Sequence, residues 1–115
     1  YLSIDGDDGG GIYVSKDRGV TFTLLKRFDV VGATPGPIQA ITLDPNNPKR
    51  FAVSSRKWGD NTGAQVYLTT DGGTTWSNLS AGLPNTSGAA KMMFSQDGTS
   101  LYLVMNAGSL FQIPL

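Results

Sequence analysis

SKDRGVTF at 15–22 and TTDGGTTW at 69–76 share one spacing: a hydroxyl residue, any residue, Asp, any residue, Gly, any residue, Thr and an aromatic. The phrase reads first as turn chemistry. Asp17 and Asp71 are short carboxylates that accept hydrogen bonds from backbone N–H groups further round a turn, and Gly19 and Gly73 adopt the positive φ that a tight reversal requires. The residues before each phrase, GIYV and QVYL, and those after it, TFTLL and TTWSNL, are β-branched and aromatic runs of strand length. Each phrase is therefore expected to be a hairpin corner. Ser15, Thr21, Thr69 and Thr75 fill the hydroxyl positions, and Phe22 and Trp76 are expected to plug the gap where neighbouring sheets pack.

Asp17 and Asp71 lie 54 positions apart, a spacing typical of internally repeated units. The rest of the chain repeats as well. ITLDPNNPKRFAVSS at 41–55 has the plan of MMFSQDGTSLYLVMN at 92–106: an apolar strand, a turn rich in Asp, Asn, Pro or Gly, and a second apolar strand. YLSIDG at the start fits the second strand of an earlier unit. SGAAKMMFS at 87–95 is the one stretch where a short helix competes, and its match to the 38–44 segment favours a strand.

Composition narrows the chemistry. The chain of 115 residues has nine Asp and no Glu, fifteen Gly, six Pro, no Cys and no His. Helix formers are scarce and turn formers abundant, which predicts an all-β protein. Disulfides, thiolate metal sites and imidazole chemistry are excluded within the chain. Nine Lys and Arg balance the nine Asp, so the positive field needed for non-specific nucleic-acid binding is missing. No segment reads as a transmembrane helix or a signal peptide, and the first residue is Tyr, so an excised or processed piece is expected.

The two phrases resemble the Asp-box, or bacterial neuraminidase repeat, and LDPNNP resembles the strand pair that precedes it in Asp-box β-propellers. The resemblance covers nearly the whole chain. It implies a partial β-propeller of four-stranded antiparallel blades with Asp-box hairpins between the third and fourth strands (C and D). Residues 1–30 then supply strands B, C and D of a truncated blade, 37–83 a complete blade, and 89–115 strands A to C of a third. Such propellers include sialidases, xyloglucan-degrading glycoside hydrolases, sortilin-type receptors and a photosystem II assembly factor, and DPNNP looks closest to the last three. Sialidase activity is disfavoured, since the chain lacks both an Arg-Ile-Pro motif and any Glu. Two and a half blades cannot close a ring. The partners expected are therefore the remaining blades, from a companion fragment, a longer chain or further copies of this one.

In this family the Asp-box corners lie on the face away from the ligand. That directs attention to the B–C loop SSRKWGDNTGAQ at 54–65. Trp58 offers a flat face on which a sugar ring stacks, with Arg56, Lys57, Asp60 and Asn61 as polar partners. The competing reading is an exposed loop whose Trp58 packs on the next blade. Asp5, Asp7 and Asp8 are oxygen ligands suited to calcium, but they lack EF-hand spacing and read better as a solvated hairpin tip, so neither metal nor cofactor is expected. Asn78 and Asn85 match the glycosylation pattern, which accords with an expected secreted or extracytoplasmic location. Glycoside hydrolysis needs paired carboxyl groups. Asp60 and then Asp29 are best placed by topology, and the resemblance implies that a second aspartate comes from elsewhere. A carbohydrate-binding or glycoside hydrolase-related propeller is the first expectation, and a non-catalytic interaction propeller of receptor or assembly-factor type is the alternative.

Overall fold

A computed structural model of the chain describes residues 2–4, 11–27, 38–55, 65–79, 83, 89–105 and 108–115. Among them are ten strands and no helix, so the all-β expectation holds. The strands are β1 (Leu2–Ile4), β2 (Gly11–Val14), β3 (Thr23–Arg27), β4 (Ile38–Asp44), β5 (Asn47–Ser55), β6 (Gln65–Thr69), β7 (Ser77–Asn78), β8 (Ala89–Phe94), β9 (Ser100–Met105) and β10 (Leu110–Pro114). They form three antiparallel meanders: sheet 1 in the order β1-β2-β3, sheet 2 in the order β4-β5-β6-β7, and sheet 3 in the order β8-β9-β10. Within the 87–95 stretch, Ala89–Phe94 form strand β8. Pairing with β9 overrides any local helical tendency of its Ala and Met residues.

Burial along β5 explains why the sheets stack. Phe51, Ala52, Val53 and Ser54 are all fully buried, an uninterrupted run that fits a strand covered on both faces. Alternation sends neighbours to opposite sides. Phe51 and Val53 join Ile12 and Ile38 in one core, with Leu25, Ile41, Tyr67 and Trp76 packed around it. Ala52 joins Val66, Ala89, Phe94, Leu101, Leu103 and Met105 in the other, with Phe111 and Ile113 at its margin. Sheet 2 is thus the filling between sheets 1 and 3, and the first strands of sheets 2 and 3, β4 and β8, run beside each other.

The junction of sheets 2 and 3 has a polar lock beside its apolar core. Arg50 donates through Nη1 to the buried carboxylate of Asp44 at 3.1 Å and to the Gly98 carbonyl at 2.7 Å. Its guanidinium also lies 5.4 Å from the centre of the Phe94 ring, within cation–π range. Asn46 adds a donor from its side-chain amide to the Gln96 carbonyl at 2.8 Å. Gly98 has a φ of 72°, and a Cβ there would stand 3.2 Å from Arg50 Nη1, so the close approach and the backbone conformation both favour glycine.

Replacing Arg50 by Met should leave the Asp44 carboxylate buried and uncompensated, a loss of about 3–5 kcal/mol. Asp44→Asn combined with Arg50→Met should lose less than Arg50→Met alone, because an uncharged amide retains an acceptor for the Asn46 N–H at 2.8 Å. Urea denaturation of the two variants and the parent checks both statements. A single variant within about 0.5 kcal/mol of the parent would show that the lock contributes nothing.

Candidate functional site

The two repeated corners fold alike, atom for atom. In the second, Thr69 Oγ1 donates to Asp71 Oδ1 at 2.9 Å and accepts the Gly73 N–H at 2.8 Å, while Asp71 accepts the Thr75 N–H at 2.9 Å and the Thr75 hydroxyl at 2.5 Å. In the first, Ser15 Oγ donates to Asp17 Oδ1 and accepts the Gly19 N–H at 2.7 Å, and Asp17 accepts the Thr21 N–H at 2.8 Å together with the Thr21 hydroxyl. Each hydroxyl, each carboxylate and each glycine of the phrase has a named task. Two successive residues take positive φ at each corner: Gly72 and Gly73 at 74° and 97°, Arg18 and Gly19 at 60° and 87°.

The aromatic positions diverge. The Trp76 ring stands edge-on to Phe51, with centroids 5.4 Å apart and planes at 84°, and its indole N–H donates to the Gly73 carbonyl at 2.9 Å. It is half-buried among the residues packed between sheets 1 and 2. Phe22, at the matching position, is 44% exposed. The reason is positional: sheet 1 covers the Trp76 side of sheet 2, whereas no sheet among the described residues covers the Phe22 side of sheet 1.

The four turns between paired strands that are described throughout meet at one end of the stack. The Gly72 N–H donates to the Lys49 carbonyl at 2.8 Å, tying the second corner to the β4–β5 strand pair. A Cβ on Gly73 would lie 2.6 Å from Leu25 Cδ2, which places that corner against β3 of sheet 1. Arg50 and Asn46 continue the chain of contacts to the β8–β9 turn. That last turn holds a shortened version of the same device. Ser95 Oγ donates to Asp97 Oδ1 at 2.7 Å, and Thr99 donates to the same oxygen through its hydroxyl at 2.7 Å and its N–H at 3.1 Å. Sequence reasoning passed over Asp97 as a member of the pattern, although SQDGTS carries the hydroxyl-x-Asp signal. It also passed over Arg50, for which no local signal exists.

These carboxylates are turn fasteners by their electrostatics as well. Hydrogen bonds from the Thr21 hydroxyl and N–H, with Ser15, hold Asp17 at about 2 instead of the ordinary 3.8. The Thr75 hydroxyl and N–H hold Asp71 at about 2, and Ser95 and Thr99 do the same for Asp97. A group so strongly favoured in its ionised form is a poor general acid near neutral pH. An open polar depression of about 680 Å³ beside the β8–β9 turn, lined by Gln96, Asp97, Tyr102 and Gln112 among others, also lies at this end.

The opposite end is defined by paired strand termini: Ile4 with Gly11, Gly11 with Arg27, Ile38 with Ser55, Ser55 with Gln65, and Ala89 with Met105. The candidate ligand residues Arg56, Lys57, Trp58, Asp60 and Asn61 follow Ser55 directly and lie outside the described residues, as do Asp5, Asp7, Asp8, Asp29 and Asn85. Just before them, Ser54 Oγ is fully buried without a hydrogen-bond partner among the described residues. Asn78 is exposed on β7 opposite Tyr67. Among the described residues no three His, Cys, Asp or Glu side chains are grouped to hold a metal, and no helix is long and apolar enough to cross a membrane. No protein-family model, no curated protein and no solved structure matches this chain.

Two measurements follow from the corners. Because their carboxyls titrate lower in the folded chain than unfolded, the stability they contribute is fully present above about pH 4 and should drain away as pH falls towards 2. Carboxyl NMR titration of Asp17, Asp71 and Asp97 should show midpoints well below the ordinary range, and ordinary midpoints would contradict the hydrogen-bond geometry. The left-handed backbone makes opposite predictions at neighbouring positions. Gly73→Ala should cost about 2–4 kcal/mol through its φ and the Leu25 contact, while Arg18→Gly should gain up to about 1 kcal/mol by relieving a side chain from a left-handed φ. Thermal or urea melts of each variant test the signs.

Proposed function

We propose that this chain is part of a secreted or extracytoplasmic Asp-box β-propeller whose sheet end opposite the Asp corners binds carbohydrate, in a glycoside hydrolase-related setting. The observation that carries the reading is the pair of corners, 54 positions apart with the same hydrogen bonds, set in sheets 1 and 2, which pack face to face as sheets 2 and 3 do with β4 beside β8. A propeller repeats antiparallel sheets radially about an axis, and face-to-face packing with adjacent first strands supports that arrangement. The clustering of the Asp corners at one end supports a ligand face at the other, where Ser55 and Gln65 bracket the 56–64 segment.

On that face the chemistry suits a sugar. Trp58 supplies an apolar platform, and Arg56, Lys57, Asp60 and Asn61 supply partners for hydroxyl groups. Hydrolysis would need two carboxyl groups roughly 5–9.5 Å apart. Asp60, or Asp29 in its place, is the one this chain contributes, and a neighbouring unit contributes the other. The exposed apolar side chains on the flanks of the stack, Phe22 and Met93 among them, favour a second reading as a protein-interaction propeller.

Trp58→Ala should weaken binding to a cognate glycan by about 1–2 kcal/mol while leaving the melting temperature nearly unchanged. Trp76→Ala should do the reverse, since its ring packs on Phe51. Titration of parent and variants with plant β-glucans, sialosides and chitooligosaccharides checks this. Failure of the parent protein to bind any of them, alongside capture of a peptide ligand on the same face, would replace the carbohydrate reading with the interaction one. Tight binding that survives Trp58→Ala would move the site to a unit outside these residues.

A further inference from the structure

The acceptor pattern Asn78-Leu79-Ser80 belongs neither to the Asp corners nor to the proposed ligand face. Its first residue closes β7, the last strand in the order β4-β5-β6-β7, and is exposed opposite Tyr67. Leu79 packs into the core shared with sheet 3, and its N–H donates to the Val66 carbonyl at 2.8 Å. Sheet 2 is covered on both faces, by sheet 1 and by sheet 3, so the exposure of Asn78 belongs to the outer edge of a sheet with neighbours on each side. The second pattern, at Asn85, lies outside the described residues.

The repeat supplies a comparison within the molecule. Leu24 stands opposite Tyr13 in sheet 1 as Asn78 stands opposite Tyr67 in sheet 2. A strand at a sheet edge presents backbone groups that invite pairing with another chain, and charged side chains are one device against it. β3, at the edge of sheet 1, reads TLLKR and ends in two charges, Lys26 and Arg27. β7 reads SN, and no charged residue stands between Asp71 and Lys91. Among the described residues β7 pairs with β6 alone. Its edge thus carries a glycosyl acceptor where that of sheet 1 carries charges, and a bulky, solubilising glycan serves the same end.

We infer that Asn78 is an N-glycosylation site whose glycan shields the outer edge of sheet 2. The transfer is a substitution at the anomeric carbon of an oligosaccharide carried on a polyprenyl diphosphate. The bond from Asn78 Nδ2 to that carbon forms, the bond from the carbon to the diphosphate oxygen breaks with its electron pair leaving on the diphosphate, and Nδ2 gives up one proton. Ser80 is the hydroxyl residue that the acceptor pattern requires. The inference rests on the secreted location proposed above and is independent of the ligand proposed there.

Translation of the 115-residue chain behind an export leader, in the presence of microsomal membranes, tests the transfer, and a glycosylating yeast supplies material. The product should exceed 12.2 kDa, and peptide N-glycosidase should remove the excess while converting Asn78 to Asp, as read by peptide mapping. Asn78→Gln and Ser80→Ala should each abolish the modification of that peptide. In an Asn85→Gln background, Ser80→Ala should aggregate several-fold faster than the chain glycosylated at Asn78, and adding Asn78→Lys should slow it again by restoring a charge at the edge. Retained methyl contacts across Ala52, Val66, Leu101 and Leu103 in two-dimensional NMR establish that these variants fold. An unmodified Asn78, in membranes that modify a control acceptor, overturns the inference, and unchanged aggregation of the folded Ser80→Ala variant overturns the shielding role. Because the leader is supplied, neither result bears on the location. Recovery of the chain from the cytoplasm of its native cells would instead remove the location, and the inference with it.

Discussion

One guanidinium is held between a carboxylate of its own sheet and a carbonyl of the next, and the way sheets 2 and 3 meet depends on it. Arg50 has to be within reach of Asp44, Gly98 and Phe94 at once, which sets the β4–β5 and β8–β9 turns side by side. The Asp44 carboxylate is almost removed from water, so its partners must be well placed for the pair to be tolerated at all. Apolar burial between Ala52 and Leu103 drives the sheets together without direction. The lock supplies the direction, because hydrogen bonds lose strength steeply when misaligned. The other junction, between sheets 1 and 2, is registered differently: bare Gly73 lets Leu25 come so close that any side chain there would collide with it.

The corner carboxylates divide labour with whatever chemistry the protein performs. Aspartate is the only acidic side chain the sequence uses, yet Asp17, Asp71 and Asp97 accept hydrogen bonds within their own turns and are kept ionised by them. Asp44 is committed to Arg50. The remaining aspartates, Asp5, Asp7, Asp8, Asp29 and Asp60, lie outside the described residues, and the proposed function assigns any acid–base or ligand-binding role to them.

Much of this fold was legible without coordinates because its signals are local. The positions of hydroxyl, Asp and Gly in SKDRGVTF and TTDGGTTW specify which atoms bond round the turn, since each of these bonds spans four positions, and short β-branched runs on either side specify strands. The apolar run after the turn in LDPNNPKRFAV likewise announced a strand, and the doubled pattern announced a repeat. What the tertiary structure alone decided lies between sheets. Nothing near Arg50 in the chain marks it as the partner of a carbonyl 48 positions away, and nothing local tells Phe22 from Trp76, which occupy the same place in the same phrase. One ring is half-buried and the other exposed because burial is a property of what stands opposite: among the described residues sheet 2 has a neighbour on that side and sheet 1 has none.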